Sequence, residues 1–164
     1  MTQVWPIAHV NIGSNIGDRA QNIDRAVALI ASSPAVAPGK KLKRSDIYIS
    51  QPWGYASCRE YYNLAISFPT PLTPLHLHRL LQALQHSIDP APHRDEQGNY
   101  IDRKIDIDLI AVDNIIVNTP ELQLPHPRMH LRHFVLAPMA QLAPSWLHPI
   151  LHKTVTHLLA TTTP

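Results

Sequence analysis

Residues Tyr61 to Phe68 read Tyr-Tyr-Asn-Leu-Ala-Ile-Ser-Phe, in which large hydrophobic residues alternate with smaller or polar ones. Successive side chains of a β-strand point to opposite faces of its sheet. The alternation therefore predicts a strand that buries its larger hydrophobic residues and holds Tyr61 and Asn63 together on the opposite face. One face of the predicted sheet is thus available for polar and aromatic contacts with a ligand.

Strands and helices are also predicted before and after this segment. Ile7 to Ile12 predicts a buried strand that runs into a tight turn at Gly13-Ser14-Asn15, and Lys43 to Ser50 predicts a further strand. Two amphipathic helices are expected, one capped by Asp18 and the other by Thr73. The first half of the chain is therefore predicted to form, in order, a strand, a helix, two strands and a helix.

The second half of the chain adds one more long strand to this series. Lys104 to Val112 predicts that strand, and Asp113-Asn114 predicts a hairpin turn into Ile115 to Val117. Two short helices are expected near the end, the last with three apolar residues on one side, Leu151, Val155 and Leu158. The order of elements favours an α+β fold of the ferredoxin-like type with a mainly antiparallel sheet.

Composition limits the classes to which the chain can belong. It has 164 residues, 45% of them hydrophobic and 16% charged, which favours one folded domain. The single Cys58 excludes an internal disulfide and favours a reducing cytoplasm. The sequence shows neither a signal peptide nor an apolar run of the ~20 residues that span a bilayer. A formal charge of +2 suits a small polyanionic ligand, and we expect no nucleic-acid or membrane partner.

The sharpest local feature is Arg103-Lys104-Ile105-Asp106-Ile107-Asp108. On a strand, Asp106 and Asp108 point to the same face with their Cα atoms about 6.6 Å apart. Two carboxylates at that spacing suit Mg²⁺ held jointly with substrate phosphates. A solvated polar face is the alternative interpretation. Arg103 and Lys104 favour the metal, because they add the positive charge that phosphoryl transfer requires.

Two further segments have both a functional and a structural interpretation. Pro125 to Phe134 holds three histidines and two arginines, and phosphate contacts by Arg128 or Arg132 are favoured over a histidine metal site because the spacing does not match zinc motifs. A solvated basic loop is the alternative. Trp53 suits stacking on a flat heteroaromatic ligand, or it covers the core. The aperiodic segment Asp89 to Ile101 is long enough to predict a functional loop.

Taken together and in order, five motifs resemble those of the 6-hydroxymethyl-7,8-dihydropterin pyrophosphokinase family of folate biosynthesis. They are Gly13-Ser14-Asn15, Pro52-Trp53-Gly54, Tyr61-Tyr62-Asn63, Arg103 to Asp108, and Leu124 to Met129 followed by Arg132 and Phe134. The resemblance implies a ferredoxin-like α/β sandwich and a single pyrophosphokinase domain over residues 1–164. It also implies transfer of a diphosphoryl group from ATP to the pterin hydroxymethyl oxygen, with release of AMP.

The same resemblance implies roles for individual residues. Asp106 and Asp108 would hold two Mg²⁺ ions, and Arg103 would stabilise the transferring group. The residues implied for pterin binding are Ser50, Trp53, Tyr61, Asn63 and Phe134. Those implied for ATP binding are Arg94, Tyr100, Arg103, Leu109, Leu122, Gln123, His126 and Arg132. The expected partners are these two small molecules, and we expect a monomer.

The sequence departs from the family in its long loop. Family members commonly carry two arginines and a tryptophan ahead of the arginine that corresponds to Arg103, whereas this chain offers Arg94 and Tyr100. Gln85 stands where the family has a glutamate. These departures leave open a catalytically weakened pterin-binding homologue, and exposed aromatic residues on a ferredoxin-like sheet leave open an RNA-binding module.

Overall fold

The computed structural model describes residues 2–164, which form an antiparallel sheet with helices on both faces. Its strands are β1 (Ile7–Ser14), β2 (Lys43–Arg44), β3 (Tyr48–Ser50), β4 (Tyr61–Pro69) and β5 (Asp106–Val112). The order across the sheet is β2-β4-β1-β5, and β3 also pairs with β4. The long strands β4, β1 and β5 therefore lie side by side at its centre, and the predicted α+β class is confirmed.

Two helices cover each face of the sheet. On one face, α1 (Arg19–Ala31) and α2 (Pro74–Ile88) pack on the main hydrophobic core. The predicted caps are confirmed, because the Asp18 and Thr73 side chains accept hydrogen bonds from the first turns of these helices. On the other face, α3 (His133–Leu142) and α4 (Val155–Ala160) form a smaller core.

Strand register determines which side chains share the second face. Asn11 of β1 lies opposite Asp108 of β5, and Gly13 lies opposite both Asp106 and Asn63. Directly paired residues of neighbouring strands point to the same face, so all five are on the face that α3 covers. The α3 core uses Ala65 and Ile110 further along the same strands. The part of this face that α3 leaves uncovered therefore carries the polar residues.

Two predicted strand boundaries and one turn are wrong. The segment predicted as one strand, Lys43 to Ser50, forms the two short strands β2 and β3. The turn predicted at Gly13-Ser14-Asn15 begins later, because Gly13 and Ser14 still pair with β4. Strand β5 begins at Asp106, since the Lys104 N–H donates to the Asp89 carboxylate instead of joining the ladder.

The hairpin predicted after β5 is also wrong. The segment β6 (Val117–Asn118) pairs with β7 (Gln123–Leu124) instead of β5. The Ile110 carbonyl, which a hairpin strand would have to bond, accepts a hydrogen bond from the His126 N–H at 2.8 Å instead. Leu151 lies before α4, not on it. Within residues 2–164, every helix is too short or too polar to cross a membrane.

Candidate active site

The polar end of the sheet forms the floor of a cleft of about 500 Å³. All residues predicted to bind the pterin line it, namely Ser50, Trp53, Tyr61, Asn63 and Phe134. Five residues predicted for metal, catalysis or ATP also line it: Tyr100, Arg103, Asp106, Asp108 and Arg132. Residues that are up to 84 positions apart in the chain thus meet in one cleft, which we call the first cleft.

Gly13 makes room for the amide of Asn63 on the floor of this cleft. A Cβ atom at position 13 would lie 2.8 Å from Asn63 Oδ1, closer than non-bonded atoms of this kind approach. The buried Asn63 side chain also donates from Nδ2 to Ser50 Oγ at 2.9 Å. A buried amide with a fixed donor bond has a defined orientation. Asn63 is therefore held ready to form hydrogen bonds with the edge of a flat ligand.

Asp106 and Asp108 lie on the same face of β5, as predicted, and both line the first cleft. Asp106 Oδ2 forms an ion pair with Arg103 Nη1 at 3.2 Å. Burial and, to a lesser extent, the charge of Asp106 raise the pKa of Asp108 to about 7 against the opposing charges of Arg132 and Arg103. Two carboxylates that repel each other in a buried setting are stabilised by an added cation.

The chemistry of these donors fits a cation that substrate phosphates also bind. Among residues 2–164, no group of three or more histidine, cysteine or acidic side chains is arranged to hold a metal by itself. Magnesium sites in nucleotide enzymes commonly use one or two carboxylates and complete their coordination with phosphate oxygens and water. The pair Asp106 and Asp108 meets that requirement.

Two buried arginines with unpaired hydrogen-bond donors line the first cleft. Arg103 and Arg132 are each 8% exposed, and in both the buried Nε atom has no hydrogen-bond partner within the described chain. The Arg132 guanidinium lies 4.5 Å from the centroid of the Trp53 ring. Buried donors without a partner are costly unless an acceptor arrives. These two residues therefore suit an anionic ligand such as a phosphate chain.

Two glutamine side chains of α2 hold β5 in place between the aspartates. Gln85 Oε1 accepts a hydrogen bond from the Ile107 N–H at 2.7 Å, and Gln82 Nε2 donates to the Ile107 carbonyl at 3.4 Å. They replace the backbone partners that a neighbouring strand would supply at this edge. Because Ile107 separates Asp106 from Asp108, this contact helps to fix the position of both carboxylates.

A second cleft of about 630 Å³ lies beside the first. Four residues predicted for ATP line it, namely Leu109, Leu122, Gln123 and His126. Burial, together with the charges of Arg132 and Arg128, lowers the pKa of His126 to about 4, so its ring is neutral at physiological pH. Asp108 lines both clefts. The two cavities therefore adjoin each other at a carboxylate.

The loop of residues 89–105 holds the remaining predicted ATP residues less firmly. Arg94 is exposed and lines neither cleft. Its guanidinium stacks 4.0 Å from the centroid of the Tyr100 ring, and Nη1 donates to the Gly98 carbonyl. The Tyr100 hydroxyl accepts a bond from Arg128 Nη1 at 3.4 Å. The structure therefore brings Tyr100 into the first cleft and leaves Arg94 on the outer side of the loop.

Several residues near the first cleft were not assigned a role by the sequence. Asn11 and Tyr55 line it, and the buried Asn15 and the half-buried Asp102 connect loops at its edge. Asn15 belongs to the motif Gly13-Ser14-Asn15 and Tyr55 directly follows Pro52-Trp53-Gly54, so their positions at these motifs were a usable signal. Asp102 is one of several charged residues in an aperiodic segment, and nothing in the local pattern distinguishes it from the others.

Comparison with known proteins identifies relatives that match most of the chain. A family model described as 7,8-dihydro-6-hydroxymethylpterin-pyrophosphokinase (HPPK) matches residues 9–144. The 2-amino-4-hydroxy-6-hydroxymethyldihydropteridine pyrophosphokinase of Porphyromonas gingivalis is 33% identical over 144 residues, which cover 87% of this chain and 94% of that protein. The Bacillus subtilis protein of the same name is 35% identical over 136 residues, covering 83% and 77% respectively.

Solved structures share the fold. An HPPK-DHPS crystallised in complex with substrates superposes with a TM-score of 0.73 at 12% identity, over 97% of this chain. An HPPK-DHPS of Plasmodium falciparum, with pterin and p-hydroxybenzoate, gives a TM-score of 0.61 at 15% identity over 98% of this chain. This chain spans 45% and 44% of those two longer chains. At such low identity the likeness establishes the fold, which agrees with the predicted ferredoxin-like arrangement.

Proposed function

The chain belongs to the 7,8-dihydro-6-hydroxymethylpterin-pyrophosphokinase (HPPK) family, and from that membership we propose how its residues perform the reaction. The chain transfers pyrophosphate from ATP to 6-hydroxymethyl-7,8-dihydropterin in folate biosynthesis. The observation that carries our assignment of roles is the pair of adjoining clefts that share Asp108. Two substrates that must exchange a group need neighbouring sites with the reacting atoms at the boundary.

The pterin occupies the first cleft. The ring is flat and polar at its edges, which suits a cleft lined by the aromatic Tyr61, Phe134 and Trp53 and by the oriented amide of Asn63. Ser50 holds that amide in place and adds a hydroxyl to the same edge. The hydroxymethyl group then points toward the aspartates at the boundary.

ATP occupies the second cleft with its base and reaches the boundary with its phosphates. Leu109 and Leu122 supply apolar surface for the base, and Gln123 supplies an amide. His126 Nδ1 accepts from the Arg128 N–H at 3.1 Å, so the neutral ring donates from Nε2 to the triphosphate without adding charge. Arg132 and Arg103 contribute the positive charge, each with an unpaired buried Nε atom. Tyr100 and Arg94 add further contacts with ATP when the 89–105 loop closes over it.

Magnesium, in two ions, is the cofactor that the donor set fits, with Asp106 and Asp108 as its protein ligands. When bound, the metal supplies neutralisation of phosphate charge and lowers the pKa of the pterin hydroxyl. The mutual repulsion of the two carboxylates and the raised pKa of Asp108 support this assignment, because a cation relieves both.

The reaction needs alignment and charge stabilisation more than covalent chemistry by the protein. The hydroxymethyl oxygen attacks the β-phosphorus of ATP, the bond from that phosphorus to the α,β-bridging oxygen breaks, and AMP leaves with the bond's electron pair. The hydroxyl proton passes to solvent. Arg103 stabilises the negative charge that the transferring group carries, and its ion pair with Asp106 keeps its guanidinium at the boundary.

Further parts of the proposal concern the molecule as a whole. We assign the activity to one domain over residues 1–164 that acts as a monomer, because both clefts are lined by residues of a single chain. We place the reaction in the cytoplasm, where ATP is abundant and where the exposed thiol of Cys58 stays reduced.

The decisive experiment measures AMP release from ATP with 6-hydroxymethyl-7,8-dihydropterin and Mg²⁺. We expect AMP and the pterin diphosphate in equal amounts, and no AMP when the pterin or Mg²⁺ is omitted. Binding of the pterin without any AMP release would instead identify a catalytically weakened homologue, consistent with the departures in the 89–105 loop.

A further inference from the structure

Asn15 connects three segments at the edge of the first cleft. Its buried side chain accepts a hydrogen bond from the Arg103 N–H at 2.8 Å, and its own N–H donates to the Arg103 carbonyl at 3.1 Å. Its Nδ2 atom donates to Asp102 Oδ1 at 2.9 Å and to the Arg59 carbonyl at 3.3 Å. The end of β1, the loop of residues 51–60 and the 89–105 loop therefore meet at one amide.

Tyr55 makes a second connection between the same segments. Its hydroxyl lies 2.9 Å from the Tyr61 hydroxyl and donates to Asp102 Oδ1 at 3.1 Å, and it accepts from Asn15 Nδ2 at 3.2 Å. Because Tyr55 uses its one hydroxyl proton in the bond to Asp102, Tyr61 donates to Tyr55. The hydrogen bonds thus form a chain that ends on the Asp102 carboxylate. Chains of this kind, ending on a charged acceptor, are stronger than isolated neutral hydrogen bonds.

We propose that Tyr55 and Asp102 are positioning residues of the transfer reaction, which join the wall that carries Tyr61 to the segment that carries Arg103. We call this pair the Tyr55–Asp102 latch. The inference rests on the proposed roles of Tyr61 at the pterin and of Arg103 at the transferring group. The latch itself touches neither reacting atom, and it acts on the rate through Arg103.

The position of Arg103 in the sequence explains why a latch at Asp102 affects the rate. Asp102 is the residue immediately before Arg103, so a bond that fixes its carboxylate also fixes the backbone from which Arg103 extends. The guanidinium is already fixed at its far end by Asp106. A displacement of about 1 Å in a group that stabilises a transition state lowers the rate by up to about 100-fold. Anchoring both ends limits such displacement.

The closing experiment has one readout that does not depend on catalysis. Hydrogen exchange at the Arg103 amide, measured by NMR on the full chain, reports the bond to Asn15. We expect Tyr55→Phe and Asp102→Asn each to speed this exchange at least about fivefold, since the first removes a bond that holds the segment and the second removes the charge that strengthens the bonds at Asp102. Tyr62→Phe is the matched control: its ring lies on the opposite face of β4 beneath Arg19, and it should leave the exchange unchanged.

The second readout is the rate of AMP release by the same variants. Tyr55→Phe and Asp102→Asn should each lower kcat about tenfold and change the KM for ATP by less than about twofold, a loss equal to one hydrogen bond to a charged group. The double variant should also lose no more than about tenfold in kcat relative to wild type, because both changes act on the same connection. In an Arg103→Lys background, Tyr55→Phe should lower kcat by less than about twofold.

Several results would overturn the latch. Unchanged exchange at the Arg103 amide in both variants would mean that the bonds do not hold the segment. Losses in kcat that multiply to about 100-fold would show that the two residues act separately. A full tenfold loss in the Arg103→Lys background would show an effect that does not pass through Arg103. A wild-type chain without AMP release would contradict the proposed function instead, and the exchange experiment would still decide the latch.

Discussion

The two halves of the site are built on different supports. Asp106, Asp108 and Asn63 lie on the central strands of the sheet, where paired backbones fix each Cα atom. Arg94 and Tyr100 lie on the 89–105 loop, where Arg94 is exposed and contacts Gly98 and Tyr100 of the same loop. The strand-borne residues need no rearrangement to receive a ligand, whereas Arg94 must move to reach either cleft.

This difference follows from what each half must do. Groups that act at the boundary between the substrates need fixed positions, because preorganised charge avoids reorganisation during the reaction. Groups that close over a bound nucleotide need freedom to open, and loops supply it. Of the departures from the family, those at Arg94 and Tyr100 fall in the loop and that at Gln85 falls on α2, while the strand-borne residues match the family's motifs. Mutational effects should therefore be large on the strands and at Asp102 and Arg103, where hydrogen bonds to Asn15 anchor the loop, and small around Arg94.

The largest effect is expected at the two aspartates. Asp106→Ala and Asp108→Ala should each lower kcat at least about 1,000-fold, because each removes one of two carboxylates that would hold the metal against the phosphates. Initial rates of AMP release at saturating Mg²⁺, ATP and pterin measure this. Asp24→Ala removes an exposed carboxylate of α1 that pairs with Arg44 and should stay within about twofold of wild type. Activity that persists in both cleft variants would contradict the metal role.

A smaller effect is expected from Gly13→Ala. The new Cβ would meet Asn63 Oδ1 at 2.8 Å and displace the amide from its bond to Ser50. Loss of one oriented hydrogen bond to the pterin should raise its KM about tenfold and change the KM for ATP by less than about twofold. Gly39→Ala adds a methyl group where nothing lies within 4 Å, although the positive φ strains it, and its KM values should remain those of the wild type. Equal changes in both KM values for Gly13→Ala would remove Asn63 from the pterin-specific wall.

The strand-borne half could be predicted from the sequence because its signal is local. Alternation over Tyr61 to Phe68 and the two-residue spacing of Asp106 and Asp108 each determine a face of the sheet without knowledge of the rest of the chain. Register then follows from burial of the hydrophobic face, which places both aspartates beside β1. The family resemblance added roles to these residues.

What the sequence did not predict depends on contacts between distant segments. Nothing near Asp113-Asn114 shows that the N–H of the distant His126 bonds the Ile110 carbonyl at the edge of β5, so the local turn signal predicted a hairpin that does not form. Asp102 has partners at Asn15 and Tyr55, 87 and 47 positions away. Side-chain bonds over such separations follow from the complete fold and leave no periodic pattern in the sequence.

In the loop, Arg94→Ala should have an effect of only a few-fold. Its guanidinium stacks on Tyr100 and lines neither cleft, so its contribution depends on closure of the loop over ATP. We expect the KM for ATP to rise about threefold to fivefold, typical of one solvent-screened charge, with the KM for the pterin unchanged. Arg94→Lys keeps the charge without the stacking geometry and should recover part of the loss. Kinetics identical to wild type would exclude Arg94 from the site.

The smallest effect on the rate, and a clear effect on stability, is expected at His9, on the same face of β1 as Asn11 and Gly13 but beyond the site. Burial lowers its pKa from 6.5 to about 4, opposed by the charge of Asp113, and its ring is hydrogen-bonded to Ser67 at 2.7 Å.

Between those two pKa values the unfolded chain binds a proton that the folded chain does not. The free energy of unfolding therefore falls as the pH drops from 6.5 to 4, by about 3 kcal/mol from this residue alone. His9→Gln should remove that part of the dependence in urea titrations and keep kcat at pH 8 within about twofold of wild type. His76→Gln, at an exposed position of α2, is the control and should follow the wild-type curve. If His9→Gln instead lowers kcat tenfold, residues of this sheet face that lie outside the clefts also contribute to catalysis. Position on a central strand alone would then account for the sensitivity of kcat to mutation.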